Sequence, residues 1–251
     1  MRLVKPASNF ARAKIEAADR QLKWWAYRGL VPLLLAVPVG LAVSLLDEAS
    51  GTVAGILLGS AGLVMIAVGF SYWSTASSSR KGWAGEVSLA AELSYLNDEF
   101  LLLNDVMLPG AHGNIDHVLV GPTGVFVFET KNYSGKYVCY GDKWYFQGKW
   151  QKYDVKSVSN QVKNNTSLVA GLLHSSGFTV DISPVIVFTN PSAKLWLHHP
   201  TVPILRAGTV CNFVVTQRPR FNLTGRYSQS VAEKILNNDV AKNHAHPLVS
   251  A

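Results

Sequence analysis

At 251 residues the chain is longer than most single domains, so two structural units are expected. Apolar residues make up 48% and charged ones only 16%, which suits a buried core or a membrane span, and two cysteines without ligand spacing exclude a cysteine-rich metal or disulfide framework. The formal charge of +7 points to anionic partners, nucleic acid or acidic lipid headgroups; from Arg80 onward there are 16 basic and 12 acidic residues, so that part is only mildly basic.

Residues 1–29 form a basic lead-in with Arg12, Lys14, Arg20, Lys23 and Arg28. Two uncharged runs follow, 30–46 and 51–73, each within the ~17–25 residues that a membrane-crossing helix needs. The four residues between them, Asp47-Glu48-Ala49-Ser50, allow only a tight turn, so the pair is expected as a two-helix transmembrane hairpin. Positive charge precedes the first run and follows the second at Arg80-Lys81, while the turn carries none; the positive-inside rule then places both termini in the cytoplasm. Trp24, Trp25, Tyr27, Tyr72 and Trp73 fit the aromatic belts at the two borders. A secretory signal is excluded, because its apolar region is short and no second full span follows it. Neither run holds an ionisable side chain, which counts against transport. Gly55 and Gly59 offer a small-residue face for close packing, against the first span or against another copy in a homo-oligomer.

Residues 74–81, mostly Ser, Thr and Ala, are expected as a linker to a soluble domain over 82–236, and 237–251 as a polar tail whose His244 and His246 are solvated. Within the domain, an apolar stripe predicts a helix over 84–96, and strands are predicted over 100–103, 115–120 and 125–131. The last two strands are joined by the turn Gly121-Pro122-Thr123-Gly124. A hairpin over 137–140 and 143–146, a helix over 158–173, strands over 184–188 and 202–205 and a closing helix over 231–236 complete an α/β fold with a mixed sheet flanked by helices.

The chemistry concentrates at the two strands around that turn. Side chains alternate along a strand, so Val125, Val127, Glu129 and Lys131 share one face, and Asp116, Val118 and Val120 share another. Counting outward from the turn puts Asp116 opposite Glu129. Two half-buried carboxylates raise each other's pKa, and a divalent cation relieves the repulsion while gaining oxygen ligands. Lys131, one pleat further, reaches the same place and can support a hydroxide nucleophile or the charge growing on a phosphate oxygen. His117 points to the other face and is read as structural. A Glu-x-Lys triplet alone is weak, since most are solvated ion pairs; the apolar flanks and Asp116 strengthen it.

Gly85-Glu86, Asn104-Asp105-Val106, Gly113-Asn114-Ile115-Asp116-His117-Val118-Leu119-Val120, Gly124-Val125-Phe126-Val127-Phe128-Glu129-Thr130-Lys131-Asn132 and Ser134-Gly135 stand in the order found in the nuclease-related domain (NERD) family, which the chain resembles over roughly 82–173 and more loosely over 184–189. That family belongs to the PD-(D/E)xK nuclease superfamily. The resemblance implies a restriction-endonuclease-like sheet and metal-dependent phosphodiester hydrolysis with Mg²⁺ or Mn²⁺. Asp116 and Glu129 match its metal-binding carboxylates, the Thr130 carbonyl a further ligand, and Lys131 its catalytic lysine. Glu86 matches the helix glutamate that completes the acidic cluster, and Gln161 a glutamine that helps arrange the site. The exonuclease branch has a tyrosine four residues after the glutamine; here Asn165 stands there, so that branch's substrate habits do not transfer.

Around the site, Lys136, Lys143, Lys149, Lys152, Lys156 and Lys163 are interleaved with Trp144, Tyr145, Phe146, Trp150 and Tyr153. This mixture suits backbone contacts and base stacking, and equally a hairpin with packed rings and solvated lysines. The expectation is a nuclease held at the cytoplasmic face of a bacterial inner membrane, acting on DNA rather than RNA. The rival reading is a tethered nucleic-acid-binding or scaffold protein with little or no turnover.

Overall fold

The computed structural model describes residues 1–6, 10–45, 47–111 and 113–240; the segment holding His244 and His246 lies outside the described residues. Contacts divide the chain into two compact units, Asn9–Trp83 and Met1–Ser8 with Ala84–Ala251.

The first of these is built from helices α1 (Phe10–Ser44) and α2, which spans Glu48–Leu93 and so continues into the other unit. Both are long and apolar enough to cross a membrane, and only 6% and 11% of their most apolar windows are buried within the protein. Asp47 starts α2 by accepting the Ser50 amide at 2.8 Å, the usual service of an acidic residue ahead of a helix. The helices approach closely along small residues: a Cβ on Gly62 would stand 2.9 Å from the Gly29 carbonyl, and one on Gly55 3.3 Å from that of Ala36. Gly59 also faces Ala36. The Gly55–Gly59 face is therefore used within the hairpin, which removes the reason for assigning it to a second copy. At 46 residues α2 is about 69 Å long, far beyond the hydrocarbon thickness. The stretch 74–81, expected as a linker, is helical, because neither proline nor glycine interrupts it before Gly82.

The second unit holds two sheets. The larger runs β1 (Arg2–Lys5), β2 (Leu101–Val106), β3 (Ile115–Gly121), β4 (Gly124–Lys131), β8 (Ile182–Phe188) and β10 (Ile204–Arg206) in that spatial order. Its central hairpin is antiparallel, whereas β1, β8 and β10 join in parallel, which makes the sheet mixed. The smaller sheet runs β7 (Lys152–Val155), β6 (Lys143–Gln147), β5 (Gly135–Tyr140) and β9 (Ala193–His198). Helix α3 (Val158–Ser175) and helix α5 (Gly225–Asn237) cover one face of the larger sheet, packing Val162, Val169 and Ile235 with Val118, Val125 and Val127. The end of α2 and helix α4 (Val210–Thr216) cover the other face, where Leu89, Leu93 and Val214 meet Leu119, Phe126 and Phe128. Burial on both faces explains why β4 reads as a continuous apolar run.

The expected strands and helices are present with shifted ends, and α5 is longer than its apolar core predicted. Four elements lacked a readable sequence signal: β1, β7, β9 and α4. The alternation of β7 and β9 places exposed residues on both sides, and β1 is a four-residue edge strand. Cys139 and Cys211 are both free thiols.

Candidate active site

The β3–β4 ladder runs in register from Gly121 opposite Gly124 to His117 opposite Phe128, then ends. One step further would pair Asp116 with Glu129, as counting from the turn predicted. Released from the ladder, the Thr130 amide donates instead to Asp116 Oδ2 at 2.6 Å. In an extended strand the N–H and C=O of one residue point to the same side, so the Thr130 carbonyl turns toward the same gap.

Lys131 Nζ lies 2.6 Å from Glu129 Oε1 and 3.4 Å from Gln161 Oε1. Gln161 sits in the first turn of α3, whose N-terminus is secured by Ser157 accepting the Asn160 amide at 3.1 Å. One turn on, Asn165 Nδ2 approaches Glu129 Oε2 at 3.5 Å. The asparagine that marked a departure from the exonuclease pattern thus holds the second oxygen of the site's most buried carboxylate. Glu86 comes from the end of α2 and stands within electrostatic reach of Glu129 and Lys131. Its placement depends on Gly85, where a Cβ would meet Asn132 Cβ at 2.9 Å and Thr189 Oγ1 at 3.0 Å. Only glycine lets the helix lie this close to the end of β4.

The electrostatics are those of an acidic cluster short of positive charge. Burial, then Glu129 and Glu86, hold the Asp116 carboxyl well above the ordinary carboxylate range, against the pull of Lys131. Asp116 keeps partial solvent contact at its surface although protein surrounds it, so its carboxylate can still be approached. Glu129 is raised by burial, with Lys131 and Lys156 pulling the other way. Glu86 is raised by burial and then by Asp105 and Glu129. For Lys131, burial works to lower the pKa, but the attraction of Glu129, Tyr133 and Asp116 prevails and raises it. Lys131 is therefore an ammonium at neutral pH, a donor and a charge rather than a base.

Two of these influences have no assigned role in the acidic cluster from sequence: Asp105 stands only in a block of the resemblance and Lys156 only among the basic residues around the site. Asp105 adopts a left-handed backbone (φ 54°), which places it near Glu86, and Lys156 reaches Glu129 from the loop ahead of α3. Neither has a spacing signal. His117, by contrast, is as read: buried, its Nδ1 2.7 Å from Asn104 Oδ1, and lowered to about 3 by burial, hence neutral.

Among the described residues no three His, Cys, Asp or Glu side chains are gathered to cage an ion on their own. The donor set fits a different kind of metal. Two acidic side chains with raised pKa values, next to a carbonyl turned into the same gap, are chemically compatible with a hard divalent cation that keeps several waters and relies on few protein ligands.

Residues 81–189 match the family model described as the nuclease-related domain. The chain carries a nuclease-related domain. The matched segment contains Glu86, Asp116, Glu129, Thr130, Lys131 and Gln161, and ends one residue after β8, before β9 begins. No curated protein and no solved structure matched the chain. The match over these residues suggests a nuclease-related function.

Of the basic residues expected to contact nucleic acid, the structure brings Lys136, Lys143 and Lys152 to one exposed face of the smaller sheet of the nuclease-related domain. Lys149 lies in the β6–β7 turn, 4.9 Å from the Trp150 ring. Lys163 is turned to Asp142 at 2.8 Å and is committed to that ion pair. Trp144 is packed inside, donating to Ser159 Oγ at 2.9 Å.

Proposed function

We propose that the chain is a membrane-anchored nuclease that hydrolyses phosphodiester bonds with Mg²⁺ or Mn²⁺. The observation that carries this reading is the convergence of Asp116, Glu129 and Lys131 at the open end of the β3–β4 ladder. Asp116, Glu129 and the Thr130 carbonyl would hold the cation. When bound, the cation supplies Lewis-acid polarisation of a phosphate oxygen and lowers the pKa of a water. The chain's own residues do the rest. Gln161 and Glu129 fix the Lys131 ammonium, which lies ready to meet the negative charge growing on a phosphate oxygen. Glu86 extends the acidic cluster from the other side. Water attacks phosphorus, the P–O bond to the leaving nucleotide breaks, and a proton passes to the departing oxygen.

Lys136, Lys143, Lys149 and Lys152 supply phosphate contacts, with DNA as the expected substrate. Anchoring rests on the two apolar helices. β1 precedes them and β2 follows them, yet both strands belong to one sheet. That pairing supports a hairpin whose two ends lie on one side, and the positive charge before and after the spans supports the cytoplasmic side; a bacterial inner membrane is what the resemblance to the family implies.

The test uses the full chain in non-ionic detergent, since a fragment beginning at residue 80 would lack β1. Single-stranded DNA, duplex DNA and RNA are incubated with Mg²⁺ or Mn²⁺. Cleavage is expected, and Lys131→Ala should reduce it about 10²–10³-fold, with Asp116→Ala losing it to at least that extent. Binding without cleavage under either metal would leave the tethered scaffold as the function.

A further inference from the structure

The smaller sheet turns one face into the core and leaves most of the other to solvent, with Val138 buried beneath its neighbours there. Register across β5 and β9 puts Lys136 beside Lys194, Val138 beside Trp196, and Tyr140 beside His198. On the antiparallel side, Lys143 pairs with Tyr140 and Tyr145 with Val138; Lys152 of β7 is aligned with Gln147 of β6. All of these side chains fall on the face opposite Cys139 and Trp144, which are buried. Four lysines (136, 143, 152 and 194) therefore share this face with a single acidic residue, Asp154.

The rings on it are arranged. Tyr140 and His198 lie parallel at 4.5 Å, with an interplanar angle of 10°. Lys152 stands 5.5 Å from the Tyr140 ring and Lys136 5.7 Å from that of Trp196. Tyr140 and Trp196 are 45% and 44% exposed, too much surface for rings whose purpose is to fill a core. Exposed rings with lysine ammoniums over them on an open sheet offer an unpaired strand aromatic surface for its bases, where the flexible lysine can move aside, and a charge for the adjacent phosphate. A duplex keeps its bases stacked on one another and has nothing to offer these rings.

The platform begins close to the site in the chain: Lys136 follows Lys131 by five residues, at most about 18 Å. β9, which supplies Lys194, Trp196 and His198, lies beyond the segment matched to the family.

We infer that this face is a binding platform for single-stranded nucleic acid, which it delivers to the acidic cluster as an unpaired strand. The inference rests on the nuclease reading for its direction, but its binding half stands separately. The full chain in non-ionic detergent and chelator is titrated with a fluorescent oligothymidylate of about 20 nucleotides, long enough to cross such a platform, and with a duplex of equal length. The oligothymidylate should bind more tightly. Tyr140→Ala and Trp196→Ala should each weaken it about 5- to 100-fold with little effect on the duplex, and Trp196→Phe should restore it. Lys194→Ala should flatten the salt dependence by roughly 0.7 in log–log slope.

Equal binding of both probes, or oligothymidylate affinity untouched by the ring variants, overturns the proposal. So does hydrogen-exchange protection of residues 193–198 in nanodiscs of anionic lipid that oligothymidylate does not reproduce, because the face is then a lipid surface. If the platform behaves as expected and no metal yields cleavage, the nuclease reading fails and the binding site remains. If cleavage occurs while ring variants change neither affinity nor KM, only the platform fails.

Discussion

Asp116 condenses the conflict at the site into one side chain. A carboxyl that holds its proton more firmly in the fold than in the unfolded chain favours the fold while protonated. The metal-free domain must therefore lose stability as pH climbs from the ordinary value of 3.8 through the raised one. A divalent cation acts in the opposite sense, since it needs the ionised carboxylates; its stabilisation grows with pH and disappears on acidification. Asp116→Asn keeps an oxygen for the Thr130 amide and removes the charge. It should raise the metal-free melting temperature at pH 8 by about 2–4 °C, roughly 1 kcal/mol, and abolish the further rise expected of the unmodified chain with Mg²⁺ or Mn²⁺. Thermal melts at pH 5 and pH 8, with and without metal, measure both. A metal-induced rise that survives in the variant would remove Asp116 from the ion's ligands. This residue was legible in sequence because the register of a tight hairpin follows from its turn. Asn165 and Lys156 were not, since their approach to Glu129 depends on how α3 and its leading loop dock.

β1 shows how a short element can matter beyond its length. Four residues from the start of the chain lie parallel to β2 after a separation of almost a hundred positions. Lys5 pays for its place by pairing with the buried Asp239 and donating to the Asp105 carbonyl. Asp239 in turn accepts the Met107 amide at 3.0 Å. One lysine thus ties the N-terminal strand, the left-handed turn at Asp105 and the end of α5 together, close to the turn that acts on Glu86. Removing one partner of a buried ion pair costs about 3–5 kcal/mol. Lys5→Ala should therefore lower domain stability by an amount of that order, read as a shift in the denaturation midpoint of the full chain, whereas Arg2→Ala, on an exposed edge position, should change it little. Equal effects of the two would show that Lys5 is an ordinary surface residue. In sequence, residues 1–29 show only a basic lead-in, because a parallel partner leaves no local mark on a four-residue strand.

At the scale of the whole molecule, one connection governs the arrangement relative to a bilayer. A strand before the hairpin and a strand after it share a sheet, which favours the proposed orientation with an even number of crossings. A membrane-impermeant thiol reagent applied to intact cells should label Ala49→Cys, exposed in the first turn of α2, and spare Ser134→Cys, on the exposed loop after β4, until the membrane is opened. Labelling of both in intact cells, or of Ser134→Cys alone, would defeat the assigned orientation.

Local patterns determined much of this protein. Span length, charge around the spans, strand alternation and a four-residue turn set the hairpin, the β3–β4 register and the meeting of Asp116, Glu129 and Lys131, because each depends on neighbours in the chain. Tertiary structure alone decided what long-range docking controls: the close approach of α2 at Gly85, the use of Gly55 and Gly59 inside the hairpin, the ion pairs that claim Lys5 and Lys163, and the aromatic face completed by β9. Those contacts join segments whose own sequences carry no record of their partners, and burial against a distant surface leaves no periodicity to read.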